Sequence, residues 1–227
     1  MNLSQIASYL KEENKYSGQI TNWETIPEKE ADYVKFPSEI SPKLKEVLKD
    51  KGLKKLYSHQ GKAYEIVDNG DNLIVVTPTA SGKTLCYNLP VLDTILKDDN
   101  ARALYLFPTK DLSQDQLTEL YDLIERLDEG IKTYTYDGDT PVNARKSIRR
   151  AGHIVITNPD MLHTGILPHH TKWIKLFENL EYVVIDEIHN YRGVFGSHVA
   201  NVIRRLKRIC NFYGSDPQFI ASSATIA

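Results

Sequence analysis

Apolar positions along the chain fall into two alternating patterns from Ser41 onward. Short runs dense in Val, Ile, Leu and aromatic residues predict strands over 72–77 (NLIVVT), 102–107, 132–136, 153–157, 181–186 (EYVVID) and 218–222. Between them, apolar residues recur at helical spacing over 58–67, 83–96, 112–127, 142–151 and 197–212. Another helix opens at Pro42, with Ser41 as N-cap, an apolar stripe of Leu44, Val47 and Leu48, and Gly52 as its stop. Pro90 falls inside a predicted helix and should kink it. Several strand runs are almost continuously apolar, as strands covered on both faces are. Alternating strand and helix predicts an α/β fold, a parallel sheet with helices on both faces. Residues 1–40 are polar and weakly periodic, which predicts an extension with one short helix over 3–12. Residues 41–227 then form the sheet domain.

Composition narrows this picture. A length of 227 residues suits one large domain with a short extension. Net charge is −2, so the chain as a whole is not a polycationic binder, and any nucleic-acid surface is local. The two cysteines, Cys86 and Cys210, have no metal-ligand spacing. No apolar run approaches the ~20 residues that span a bilayer, and the first residues lack a secretion signal, so a cytoplasmic protein with no membrane partner is expected.

Ligands of open parallel sheets bind beyond the carboxyl ends of the strands, and the candidate chemistry sits there. Ser81-Gly82-Lys83-Thr84 follows a predicted strand and opens a predicted helix. In that context backbone N–H groups and the helix dipole receive phosphate oxygens. Lys83 would reach the β- and γ-phosphates, and Thr84 would give its hydroxyl to Mg²⁺. Thr77 stands where the phosphate-loop pattern has its first glycine. The run 181–186 ends on Asp186-Glu187-Ile188-His189. Adjacent carboxylates at the tip of a buried strand are costly unless a cation is held there. Asp186 would hold nucleotide-bound Mg²⁺, Glu187 would activate the attacking water, and His189 would sense the γ-phosphate.

Taken together, these residues resemble the DExH branch of superfamily 2 helicases, and further motifs agree in order from about Ser41 to the last residue. Tyr57-Ser58-His59-Gln60 is similar to the adenine-reading Q motif, with Gln60 as bidentate partner of the base. Thr79 and Ala80 complete the nucleotide-binding set with Tyr57, Gln60 and the residues from Ser81 to Thr84. Pro108-Thr109-Lys110, Gly138-Asp139-Thr140 and Thr157-Asn158-Pro159 resemble the strand-binding motifs. Ser223-Ala224-Thr225 resembles the motif that couples hydrolysis to the strand. The stretches TPTASGKTLCYNLPVL, TNPDMLH and YRGVFGSHVANVIRRLKRIC resemble the bacterial mitomycin repair factor A subgroup, which is related to eukaryotic RecQ-like enzymes. The resemblance implies a RecA-like lobe that binds ATP and Mg²⁺, and a 3′→5′ translocase on single-stranded or partly duplex DNA in repair. It also implies a second RecA-like lobe and a cysteine-bearing zinc region, neither within these residues, and a monomer. An isolated first lobe would hydrolyse ATP weakly, because the arginine finger comes from the second.

The strand-binding residues offer hydroxyls (Thr109, Thr140, Thr157), charge (Lys110) and loop amides, which suit a sugar–phosphate backbone without base readout. Each threonine could equally be an N-cap. Arg192, just after the acidic motif, is a candidate phosphate contact in a loop that couples nucleotide state to the strand. The basic clusters Arg145, Lys146, Arg149, Arg150 and Arg204, Arg205, Lys207, Arg208 read better as solvated helix faces. His169-His170 lacks a third ligand and reads better as surface than as a metal site. An RNA helicase lobe and a non-catalytic nucleic-acid-binding module are the competing readings. Ordered motifs on both sides of the acidic strand count against a kinase or transport ATPase.

Overall fold

The computed structural model describes residues 2–12, 16, 18–24, 30–78, 81–108 and 110–224, with the side chains of 4, 12 and 110–116 outside that description. The chain divides into two compact units, Met1–Ala31 and Asp32–Ala227. In the first, helix α1 (Leu3–Glu12) begins on a reciprocal cap. The Asn2 N–H donates to Gln5 Oε1, and the Gln5 N–H to Asn2 Oδ1, both at 2.9 Å.

The second unit opens with β1 (Tyr33–Val34), α2 (Pro42–Asp50), β2 (Leu56–Tyr57) and α3 (Ser58–Asp68). Strands β1 and β2 pair antiparallel, Tyr33 opposite Tyr57. Ser41 occupies the N-cap position of α2, but its hydroxyl makes no capping bond. Its N–H instead donates to Asp93 Oδ1 at 2.7 Å. Asp93 is 2% exposed and also accepts from Tyr64 Oη (2.6 Å) and Lys97 Nζ (2.7 Å), so one buried carboxylate ties three segments together.

The main sheet follows: β3 (Leu73–Val76), α4 (Lys83–Lys97), β4 (Arg102–Leu106), α5 (Lys110–Leu127), β5 (Thr133–Thr135), α6 (Val142–Ala151), β6 (Ile154–Thr157), α7 (Pro159–Met161), α8 (Ile174–Glu178), β7 (Leu180–Ile185), α9 (Gly193–Tyr213) and β8 (Gln218–Ser223). A π-turn (Leu162–Ile166) and a 3-10 turn (Leu167–Lys172) join α7 to α8. The six strands are all parallel, in the order β3-β8-β7-β4-β6-β5. Period-2 alternation divides their side chains between two cores. Ala103, Tyr105, Tyr182 and Val184 face one core with α2, α3, α4 and α5. Leu104, Leu106, Val183 and Ile185 face the other with α6, α8 and α9. This is the predicted sheet with helices on both faces.

Helix α4 continues through Pro90, which is buried. Two local expectations are revised. Strand β3, whose almost continuously apolar run suits a strand covered on both faces, is an edge strand. Val75 is buried against Ala63 and Cys86, while Ile74 and Val76 on the opposite face are 59% and 40% exposed. Helix α9 starts at Gly193 rather than at 197, so Phe195 and Gly196 are helical rather than part of a coupling loop. Gly196 permits this because a Cβ there would meet the Tyr191 carbonyl oxygen at 2.4 Å.

Candidate nucleotide and nucleic-acid sites

Parallel register aligns the carboxyl ends of β3, β8 and β7, with Val76 opposite Ser223 and Ala221 opposite Ile185. Three loops therefore meet. The first leaves β3 with its Thr77 N–H donating to the Ser223 carbonyl at 3.3 Å. Thr77 Oγ1 and Ser81 Oγ, 2.6 Å apart, clasp the loop across its base. Thr77, where the pattern has glycine, thus contributes a hydroxyl to the loop's own geometry. Gly82 has φ +77°, a left-handed conformation that favours glycine. A Cβ there would also lie 2.6 Å from Gln60 Nε2. Lys83 is 9% exposed, and its Nζ donates to the carbonyls of Thr77 (3.0 Å) and Pro78 (3.1 Å). Thr84, in the first turn of α4, is half-buried and hydrogen-bonds to Tyr87. Thr79 and Ala80 lie outside the described residues.

Gln60 is 4% exposed and already engaged on both sides. Its Oε1 accepts from the Tyr57 N–H (2.9 Å) and its Nε2 donates to the Gly82 carbonyl (3.0 Å). It thus caps α3 and ties that helix to the phosphate loop, and a bidentate pairing with a base would require these bonds to open. The Tyr33 ring stacks on Tyr57 with centroids 5.0 Å apart. These rings, with Gly52, Lys54, Lys55 and Gln60, line a pocket of about 380 Å³.

The acidic motif leaves β7. Asp186 is 1% exposed. Its Oδ1 accepts the Glu187 N–H at 3.0 Å and a short hydrogen bond from the Ser222 hydroxyl. Tyr87 Oη lies 3.4 Å from its Oδ2. Burial, and then the neighbouring Asp186 charge, hold the Tyr87 phenol well above its ordinary pKa. Glu187 has φ +50°, a left-handed conformation uncommon for a residue with Cβ and found where a side chain is aimed for function. His189 Nδ1 lies 3.1 Å from Glu187 Oε2 without hydrogen-bond alignment, and 3.3 Å from Ser223 Oγ. Ala224 follows β8, and Thr225 lies outside the described residues.

The other half of the edge is formed by β4, β6 and β5, with Leu106 opposite Thr157 and Thr135 opposite Ile156. Pro108 follows β4. Thr109 and the Lys110 side chain lie outside the description. Gly138, Asp139 and Thr140 follow β5 in a turn closed on itself: Thr140 Oγ1 accepts the Asp137 N–H at 2.8 Å and lies 3.1 Å from Asp137 Oδ1. Thr157 is 4% exposed and donates to the Tyr136 carbonyl at 2.7 Å, which binds β6 to the end of β5 and turns its hydroxyl away from solvent. The capping role belongs to Asn158, whose Oδ1 accepts the Met161 N–H at 2.7 Å, with Pro159 buried beside it. Arg192 is exposed at the N-terminus of α9 and makes no side-chain cap bond.

Tyr33, Tyr87 and Ser222 join these clusters without having been singled out in the sequence. Tyr87 had a signal, since it lies one helical turn after Thr84 on the predicted helix. Ser222 had only its place beside Ser223. Tyr33 had none, because its partner Tyr57 is reached by strand pairing.

A six-stranded parallel sheet with a Gly-Lys-Thr loop opening a helix at an edge strand, and an Asp-Glu pair two strands away, defines a RecA-like phosphate-loop fold. The chain belongs to the DEAD/DEAH box helicase family, whose sequence model matches residues 57–227. It is 60% identical over 94% of its length to the uncharacterized ATP-dependent helicase YprA of Bacillus subtilis, covering 28% of that protein. It is 42% identical over 99% of its length to the ATP-dependent helicase hrq1 of Schizosaccharomyces pombe, covering 21% of it. The crystal structure of the DUF1998 helicase MrfA bound to DNA and AMPPNP superposes over the whole chain with a TM-score of 0.94 at 58% identity, and the chain covers 31% of it. The chain thus spans about a third or less of the length of these relatives.

Proposed function

We propose that residues 41–227 form the first of two RecA-like lobes of an ATP-driven, 3′→5′ DNA helicase, a cytoplasmic and monomeric protein acting in DNA repair, with residues 1–40 as an extension. One observation carries the reading. A caged lysine and a buried carboxylate sit at the ends of β3 and β7, and both are held by protein groups that an ion could replace. Among the described residues Lys83 is held by the carbonyls of Thr77 and Pro78, neutral groups that leave its charge to be matched by an anion. Asp186 is surrounded by hydroxyls and an amide, which leaves its charge to be matched by a cation.

This donor set fits a nucleoside triphosphate with Mg²⁺. Lys83 and the N–H groups of Thr79, Ala80, Ser81 and Gly82 would receive phosphate oxygens, and Thr84 and Asp186 would hold the metal. Tyr57, Tyr33 and Gln60 would enclose the base. Bound Mg²⁺ would neutralise the charge developing on the phosphates. Glu187 would orient and deprotonate water from its fixed left-handed conformation. His189 and Ser223, 3.3 Å apart, would carry the nucleotide state into β8, with Ala224 and Thr225 beyond it. Pro108, Thr109, Lys110, the turn from Gly138 to Thr140, Asn158, Pro159 and Arg192 would meet the backbone of a single strand. Thr157 would support that edge through Tyr136 rather than touch the strand. DNA rather than RNA is favoured by the DNA held in the MrfA crystal structure.

The test is titration with a fluorescent ATP analogue with and without Mg²⁺. Wild type should bind in a Mg²⁺-dependent way, Lys83→Ala should bind about ten- to a hundredfold more weakly, as the loss of a charged hydrogen bond of about 1.5–3 kcal/mol implies, and Asp186→Asn should lose the Mg²⁺ dependence. Unchanged binding by Lys83→Ala would overturn the assignment. Turnover by these 227 residues alone should stay weak even with single-stranded DNA, because the arginine finger belongs to the second lobe.

A further inference from the structure

Helix α6 separates its four cations. Lys146 and Arg150 are exposed, whereas Arg145 and Arg149, one turn apart, are half-buried and turn into a pocket of about 320 Å³ shared with the 3-10 turn before α8. His169, Lys172, Tyr136 and Trp173 complete its charged and aromatic lining, and no carboxylate is among the lining residues. The Arg145 guanidinium lies 5.4 Å from the Tyr136 ring, and that of Arg149 lies 6.0 Å from the Trp173 ring. Tyr136 and Trp173 pack edge-on at 4.8 Å, so the cations rest on a rigid aromatic floor. Among the described residues, none of Arg145, Arg149 and Lys172 has a carboxylate within ion-pair distance.

Among the described residues, two donors here have no acceptor. Trp173 is 1% exposed and its indole Nε1 has no partner, and Arg149 Nε is likewise buried and unpartnered. A buried donor without an acceptor costs about 1–3 kcal/mol, and both nitrogens are closed off beneath the pocket's lining rather than on its accessible surface. The three obligate cations exclude a cationic ligand and favour an oxyanion. The pocket also adjoins the strand-facing edge. Arg145 Nε donates to the Thr140 carbonyl at 2.9 Å and its Nη2 to the Gly138 carbonyl at 3.3 Å, while Met161, whose N–H is capped by Asn158, also lines the pocket.

We propose that the pocket formed by Arg145, Arg149, Lys172 and Trp173 binds one backbone phosphodiester of the nucleic-acid strand that crosses the ends of β5 and β6. The proposal rests on the strand-binding reading above and extends it beyond the sheet edge. Lys172 and Arg149 supply charge, and Arg145 links the phosphate to the Gly138–Thr140 turn. No group here reads a base, so the contact is independent of sequence.

The test measures binding of a labelled oligothymidylate to the protein from about 50 to 200 mM salt, because each phosphate neutralised on a single strand contributes about 0.7 to the slope of log K against log salt. Arg149→Gln/Lys172→Gln should bind about tenfold more weakly at the low end and lose about 0.7 of slope. Lys146→Gln/Arg150→Gln removes the same charge from exposed positions of the same helix and should leave the slope near wild type. Equal effects of the two pairs would mean diffuse attraction and overturn the proposal. Lys172→Gln alone, at an exposed position, keeps the test valid if the Arg149 substitution unfolds the protein. In a Trp23→Phe background Trp173 is the remaining tryptophan, and the oligonucleotide should perturb its emission. A response to inorganic phosphate with none to the oligonucleotide would make this a free-phosphate site and overturn the phosphodiester assignment. Failure of wild type to bind any oligonucleotide would overturn the strand-binding reading itself, and the pocket proposal with it.

Discussion

Replacing Ser222 with alanine should destabilise the protein although the substitution leaves almost no cavity. Asp186 is 1% exposed, and its Oδ1 is held by the Ser222 hydroxyl and the Glu187 N–H. The Tyr87 hydroxyl, at 3.4 Å from Oδ2, is too distant to compensate. A hydrogen bond to a buried charged group contributes about 1.5–3 kcal/mol, and its loss leaves the carboxylate under-satisfied. The expected loss is therefore about 2 kcal/mol. With a urea m-value of about 2–3 kcal/mol/M for a domain of this size, the unfolding midpoint should fall by roughly 0.7–1 M. Ser223→Ala is the internal comparison. Its hydroxyl sits 3.3 Å from His189 Nδ1, and the loss of that contact should cost about 1 kcal/mol or less. A double-mutant cycle with Asp186→Asn isolates the pair, and coupling of about 1 kcal/mol or more is expected for groups in direct contact. A Ser222→Ala midpoint within error of wild type, or an additive cycle, would refute the claim that this hydroxyl keeps the carboxylate buried.

Three further outcomes follow from the structure. Burial, and next the nearby Arg102 charge, hold His153 below the ordinary histidine pKa of about 6.5, although its contact with Asp99 opposes this. Its Nδ1 accepts the Lys132 N–H at 2.9 Å, so Nε2 carries the proton and faces Asp99 Oδ1 at 3.0 Å. The unfolded chain then takes up a proton before the folded one does. Stability from this site is complete above about pH 6.5 and falls as pH drops through the lowered native pKa, and His153→Asn should flatten that part of the unfolding profile. Gly82→Ala places a Cβ at φ +77° and 2.6 Å from a Gln60 amide that is bonded on both sides. It should cost at least about 1–2 kcal/mol in thermal unfolding, and a variant as stable as wild type would contradict the geometry. Burial pushes the Cys86 thiol up to about 12 and the Cys210 thiol up to about 11. Neither should react with a thiol reagent at mildly alkaline pH until denaturant is added, and rapid labelling of the native protein would show that these side chains are not enclosed.

Much of the fold was legible because each strand run carries its own signal. Arg102-Ala103-Leu104-Tyr105-Leu106 is apolar enough to be buried on both faces, and it is the strand flanked by β7 and β6. Asn72-Leu73-Ile74-Val75-Val76 carries nearly the same pattern, yet it lies at the sheet edge with one face open. Hydrophobicity reports what a strand can tolerate, whereas coverage depends on strand order, which arises from pairings between distant segments. The start of α9 was misjudged for a related reason. Two glycines look like a loop, but Gly196 serves a close approach to the Tyr191 carbonyl that no local pattern encodes.

The same distinction governs the site. Lys83, Asp186 and Glu187 lie within a few positions of a strand end, so spacing alone singles them out as candidates. The groups that hold them come from neighbouring strands and helices: Ser222 reaches Asp186 from β8, Tyr87 from α4, and Gln60 reaches Gly82 from α3. Serine, tyrosine and glutamine are chemically unspecific, and their meaning is set only when the sheet brings β8 between β3 and β7. Two opposite charges, Lys83 and Asp186, are thus buried at one sheet edge. Each is satisfied by neutral dipoles, Lys83 by two carbonyls and Asp186 by a hydroxyl and an amide. Neutral partners lower the cost of burial without cancelling the charge, so both sites keep their attraction for ions of opposite sign. Replacing either set of dipoles by a fixed counter-charge would stabilise the lobe and weaken that attraction.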